Sequence, residues 1–235
     1  MAILIDRNAW TASLRPDLEE VLKSIHQLFV PCFEIVHQRP LIVTKIESSQ
    51  SPCCNREAGI IYLSADGTYW CQYAYQFSHE YCHFQITRDV APPFRWFEET
   101  ICELASYFFL FLADISWSDS PPYPHWRSYA SSFSVYVNNA MMKAEPFDTN
   151  FTDESNDILL YLMGNCEDRC KNAYIAKLLL PIFQSDPTLW SVVPLLCEIP
   201  ETLSFEDALH FWCEISPVVH KNSINQISQI FFKNI

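Results

Sequence analysis

At 235 residues, with 49% apolar and 18% charged side chains, the chain can build a sizeable hydrophobic core and is too apolar to be disordered. Its three glycines, Gly59, Gly67 and Gly164, all but exclude a P-loop or a dinucleotide-binding fold, whose phosphate-cradling loops need several. A formal net charge of −13 argues against a nucleic-acid partner.

Along the chain, Pro16 to Phe29 places Leu18, Val21, Leu22, Ile25, Leu28 and Phe29 at helical spacing. Pro16 suits a first turn, and Asp17, Glu19 and Glu20 complement the positive helix end. Phe33 to His37 and Leu41 to Glu47 are β-branched and partly alternating, which predicts strands. Ser48 to Glu57 reads as a polar loop, Gly59 to Ala65 as a further strand and Asp66-Gly67 as a turn. A helix is expected over 68–87, ended before Pro92-Pro93. From Trp96 onward helices are expected over 96–113, 125–144, 154–163, 167–183, 187–198, 204–215 and 223–233, with a Pro-rich loop at 120–124. Ser204, three residues before Asp207, is an N-cap signature. The layout is α+β, a small sheet followed by many helices, with a core over 1–113, an all-helical region over 114–235 and a seam at 114–124.

The opening Met1-Ala-Ile-Leu-Ile meets Asp6 and Arg7 at once, which leaves no apolar stretch for a signal peptide. The ten cysteines do not form a disulfide framework: Cys102, Cys197 and Cys213 lie in apolar helical surroundings, and Cys166 and Cys170 read as a packing pair on one helix face. Reduced thiols in the cytoplasm are expected. The most apolar run, Leu104 to Ala113, is about half the length a bilayer requires, so no membrane partner is expected.

His79-Glu80-Tyr81-Cys82-His83 matches H-E-x-x-H. On a helix, residues four apart lie on one face, so both imidazoles can hold one zinc ion, and Glu80 can reach an attacking water as general base. At about 100° per residue, Trp70, Tyr73, Ala74, Phe77, Tyr81 and Phe84 form an apolar face. His79 and His83 project opposite it with Gln72, Tyr75 and Gln76, where a core histidine would not. Cys82 projects away from both imidazoles and reads as packing. His26, His37, His125, His210 and His220 have no partner at ligand spacing. Fifteen or so residues on, Glu99 opens an otherwise apolar helix, where burying a carboxylate is costly without a charged partner or a metal. Glu103 lies one turn further on the same face, placed to accept a hydrogen bond from a liganding imidazole. Asp89, six residues past His83, is an alternative third ligand. That position resembles the third-ligand position of aspzincins and metzincins, whose pattern has a glycine to turn the chain where Ile86 stands here.

With H-E-x-x-H on one helix and Glu99 in a Trp96-Phe-Glu-Glu context on the next, the sequence resembles the gluzincin metallopeptidases, the thermolysin-like and aminopeptidase-N-like zincins. The resemblance spans about residues 40–112. It implies a zincin-like core, made of a small mixed sheet, an active-site helix and a glutamate helix, followed by an α-helical C-terminal region. It further implies one zinc held by His79, His83 and Glu99, Glu103 behind a histidine ligand, Glu80 as general base, and a peptide or protein substrate. The oxyanion donor in that family is a Tyr or His of the helical part. Tyr174 is the candidate, with Tyr161 and His210 as competitors. The alternative is a zincin-fold binding or regulatory module that cleaves nothing, against which the intact H-E-x-x-H argues.

Overall fold

The computed structural model describes residues 3–11, 14–33, 40–152 and 156–232. Helices dominate, and four short strands make one mixed sheet, so the α+β class holds. Strands β1 (Ile3–Ile5), β2 (Leu41–Lys45), β3 (Cys53–Asn55) and β4 (Ile60–Leu63) lie in the order β1-β2-β4-β3. β1 with β2 and β2 with β4 are parallel; β3 runs antiparallel to β4 along the edge. Parallel neighbours need a crossover, and α1 (Arg15–Phe29) lies in the chain between β1 and β2. Leu41 and Val43 of β2, and Ile61 and Leu63 of β4, are buried at the period of two that a sheet with one covered face requires.

The β3–β4 turn is tight. The Asn55 side chain accepts from the backbone N–H of Ala58 at 2.9 Å, and Gly59 takes a φ of 68°. A Cβ on Gly59 would lie 3.0 Å from the carbonyl of Pro40, so this position needs its glycine. Gly67, at a φ of 63°, turns the chain from β4 toward α2 (Trp70–Gln85). Gln76 Oε1 accepts the N–H groups of Ser64 and Ala65, each at 3.0 Å, which fastens α2 to the end of β4. The α2 face of Tyr73, Ala74, Phe77, Tyr81 and Phe84 is fully buried, as its spacing predicts, while Trp70 is half-buried. Packing against α1 places Tyr81 with ring centroids 4.9 Å from Phe29 and 5.4 Å from His26.

The chain divides into two compact units, and neither is one continuous stretch. The first takes residues up to 85 with 105–140; the second takes 86–104 with everything from 141 on. The first unit holds the sheet, α1, α2, the later turns of α3 (Arg95–Asp119) and nearly all of α4 (Ala130–Met142). Within it Ser106 of α3 donates to the carbonyl of Tyr75 on α2 at 3.0 Å. Trp117 stacks on Trp126 and donates to Ser24 of α1 at 3.2 Å. The second unit holds the first turns of α3, then α5 (Asp157–Gly164), α6 (Arg169–Ser185), α7 (Phe205–Ile215) and α8 (Lys221–Phe231). Its core is aromatic: Trp96, Phe97, Phe151 and Phe231 gather around Phe205, with Trp96 at 4.7 Å and Phe231 at 5.1 Å, and Trp212 packs on Phe97. The expected seam at 114–124 begins inside α3, which continues unbroken to Asp119.

Several elements differ from the sequence expectations. β1 and β3 are strands where none is expected, β3 within the segment read as a loop. Both are three residues long and take their regularity from pairing rather than from an alternating pattern. The helix expected over 187–198 is a 3-10 helix, in keeping with Pro187 at its start and Pro194 inside it. The helix expected from 125 begins with a 3-10 segment, Pro124–Tyr129, before α4. Most of the strand expected over 33–37, with His37, and the start of the helix expected at 154 lie outside the described residues. All ten cysteines lie within the described residues and none forms a disulfide. Cys166 precedes α6 and is half-buried while Cys170 is exposed, so the two are not a packed pair on one helix. Pro92–Asp119 is long and apolar enough to cross a membrane by length and composition, unlike Leu104–Ala113 alone. Of its most apolar window 67% is buried inside the molecule, as in the core helix of a globular protein.

Candidate metal centre

His79 and His83 stand one turn apart on α2, both half-buried, with ring centroids 5.0 Å apart. Both lie off the fully buried face of α2, beside Gln72, Tyr75 and Gln76, which are also half-buried. Glu99 lies in the second turn of α3 and is half-buried. One nitrogen of each imidazole and one carboxylate oxygen of Glu99 all lie within 4.8 Å of one another, a group that could hold a metal ion. Two imidazole nitrogens and one carboxylate oxygen are a donor set that fits a divalent metal ion.

Glu80 directly follows His79 and is 5% exposed. Its charge is felt at the neighbouring edge strand, where burial and then Glu80 push the Cys53 thiol up from its ordinary value. Glu99 acts likewise on Cys166, which is raised first by burial, then by Glu99 and Glu167.

Full burial is expected for Glu99 and Glu103 from the apolar character of their helix, but both are half-buried. The carboxylate that goes fully inside is Glu98, at 5% exposure. Partial hydration at Glu99 and Glu103 lowers the desolvation cost that the sequence argument assigned to them. Glu103 lies one turn beyond Glu99 and outside the three-residue group. Asp89 is exposed and outside it as well. Tyr174 is half-buried on α6 with its ring 5.2 Å from Phe147. Tyr161 donates its hydroxyl to Asp168 at 3.0 Å, and His210 is exposed on α7.

One residue at the group has no signal in the sequence. Arg56, half-buried in the β3–β4 turn, donates from Nε to the carbonyl of His83 at 2.8 Å, and its Nη2 lies 3.2 Å from His83 Nδ1. The two residues are 27 apart, and only the tight turn set by Asn55 and Gly59 brings them together. The first bond satisfies an end carbonyl of α2 with a cation, the favourable sign for a helix C-terminus.

Compared with known proteins, the chain matches no family model, no curated protein and no solved structure.

Proposed function

We propose that the chain is a zinc-dependent peptidase of gluzincin type. His79, His83 and Glu99 hold one zinc ion, and Glu80 serves as general base. The observation that carries this reading is the convergence of the three ligand atoms within 4.8 Å, from an H-E-x-x-H helix and a separate glutamate helix. Hard all-oxygen sites favour magnesium or calcium; a two-imidazole, one-carboxylate set suits a borderline divalent ion, and the H-E-x-x-H spacing on one helix favours zinc. When bound, such an ion supplies Lewis acidity toward a scissile carbonyl and an attacking water. Glu80 would take a proton from an attacking water and pass it to the leaving amine. Glu80 is buried directly beside His79, the place the H-E-x-x-H pattern gives to the base. The oxyanion needs a further donor, for which Tyr174 remains the proposed residue.

The test is cleavage of a broad peptide library, with and without a chelator. The wild-type chain should cleave, and the chelator should stop it. Glu80→Gln should keep its fold and its metal while losing about 100-fold or more of the turnover, the span a positioned general base contributes. Cleavage by Glu80→Gln at the wild-type rate rules the mechanism out. Metal retention without cleavage by the wild type points instead to a binding module on the same scaffold.

A further inference from the structure

A histidine that binds a metal through one nitrogen ordinarily donates the N–H of the other to a carboxylate, a carbonyl or water, and this partner fixes the ring in the coordinating tautomer. His83 has the opposite arrangement. Its Nδ1 lies 3.2 Å from Arg56 Nη2. A guanidinium has five N–H donors, no acceptor, and does not deprotonate in proteins. The donor in this contact is therefore Arg56, and the acceptor is the Nδ1 lone pair. A neutral imidazole whose Nδ1 accepts carries its proton on Nε2.

Either choice of coordinating atom then meets the same obstacle. If Nδ1 is to bind the metal, Arg56 already occupies its lone pair. If Nε2 is to bind, that nitrogen holds the ring's only proton, and the proton cannot move to Nδ1 while Arg56 donates there. The fixed positive charge also stands at contact distance from a ring that must bind a dication, which adds repulsion. The second arm of Arg56 has no such conflict. Its Nε bond to the His83 carbonyl, at 2.8 Å, uses backbone and leaves the ring alone. The guanidinium can thus stay anchored to the end of α2 while its Nη2 arm lets go of the ring.

We propose that Arg56 is a positioning residue that restrains metal uptake, holding His83 in the non-coordinating tautomer until the Nη2 arm is displaced. This inference rests on the reading of His79, His83 and Glu99 as a metal centre. The brake is built from an element outside the ligand helices, so the turn between β3 and β4 becomes part of the control of the site.

Two measurements test it. In the metal-free wild-type protein at about pH 8, above the ordinary imidazole range, long-range proton–nitrogen NMR correlations should show His83 protonated on Nε2 with a bare Nδ1. A proton on Nδ1 overturns the proposal without any variant. The second measurement is zinc affinity, by competition with a chelator of known strength, for wild type and for Arg56→Met, which keeps the reach of the side chain without donors or charge. The variant should bind zinc about 10- to 100-fold more tightly, the range over which partners of ligand histidines change metal affinity. Equal or weaker binding by a folded Arg56→Met overturns the role of Arg56 and leaves the metal centre standing. Zinc binding by neither protein removes the metal centre itself, and this inference with it.

Discussion

His26 sits on the inner face of α1 with its ring 5.4 Å from Tyr81, buried to 7% exposure, and its Nε2 is buried without a hydrogen-bond partner. Burial pushes its pKa below the ordinary imidazole value, because the charged form would lose its hydration among apolar neighbours. The unfolded chain then binds the proton more readily than the folded one, so stability rises with pH in that window. It is full above about pH 6.5, the ordinary value, and declines as pH falls through the folded value. His26→Leu should be close to neutral at about pH 7.5 and should flatten this decline, as read by urea unfolding across about pH 5 to 8. An unchanged slope would show that other groups carry the acid sensitivity. At this scale the sequence is legible where spacing alone makes the case. His79, Glu80 and His83 need only a helix to share a region, and Glu99 needs only the next helix to return. Arg56 is illegible because its role is to reach a residue 27 positions away across a turn. The burial of Glu98 rather than Glu99 is equally hidden: neighbours one residue apart differ by about 100° in direction, and the rotation of α3 is set by tertiary packing.

Between elements, Asp186 makes the comparable link in the second unit. It stands just before the 3-10 segment Pro187–Glu198, its side chain accepts from Thr188 and from Ser223 of α8 at 2.7 Å each, and it lies 3.4 Å from His220 Nδ1. Burial works to raise its pKa, but the bonds from Thr188, Ser223 and His220 outweigh it and hold the carboxyl below its ordinary value. The sign is that of a lowered acid. The stability it contributes is present above about pH 4, the ordinary value, and is lost as pH falls through the folded value. Asp186→Asn should cost about 1–3 kcal/mol at neutral pH and should remove part of the loss of stability below about pH 4, measured by chemical denaturation. A neutral effect would mean that α8 is held by its apolar face alone, through Ile224, Ile227 and Phe231. Long amphipathic elements such as α1, α2 and α7 are legible because many residues vote for one period. The three-residue strands are not, since three residues show no period and their partners are remote. The Pro187–Glu198 segment has the apolar content of a helix, and its prolines change the kind of helix.

For the whole molecule, the α+β order of a small sheet and then many helices is plain in the sequence. The division into units is not, because residues 86–104 cluster with the region after 141 while 105–140 cluster with the start of the chain. A contiguous boundary is the simplest expectation from composition, and a single long helix contributing to both units defeats it. The same helix carries Glu99 in its second turn and Ser106, bonded to α2, two turns later. The proposed metal centre therefore turns on whether Glu99 is the third ligand. Zinc affinity by chelator competition, compared between wild type and Glu99→Ala, decides this most directly. The wild-type chain should bind one zinc, and the variant should bind it more than about 100-fold more weakly, beyond what loss of a mere supporting partner produces. Equal affinity in the two proteins, or no zinc bound by the wild type, would contradict the proposed centre.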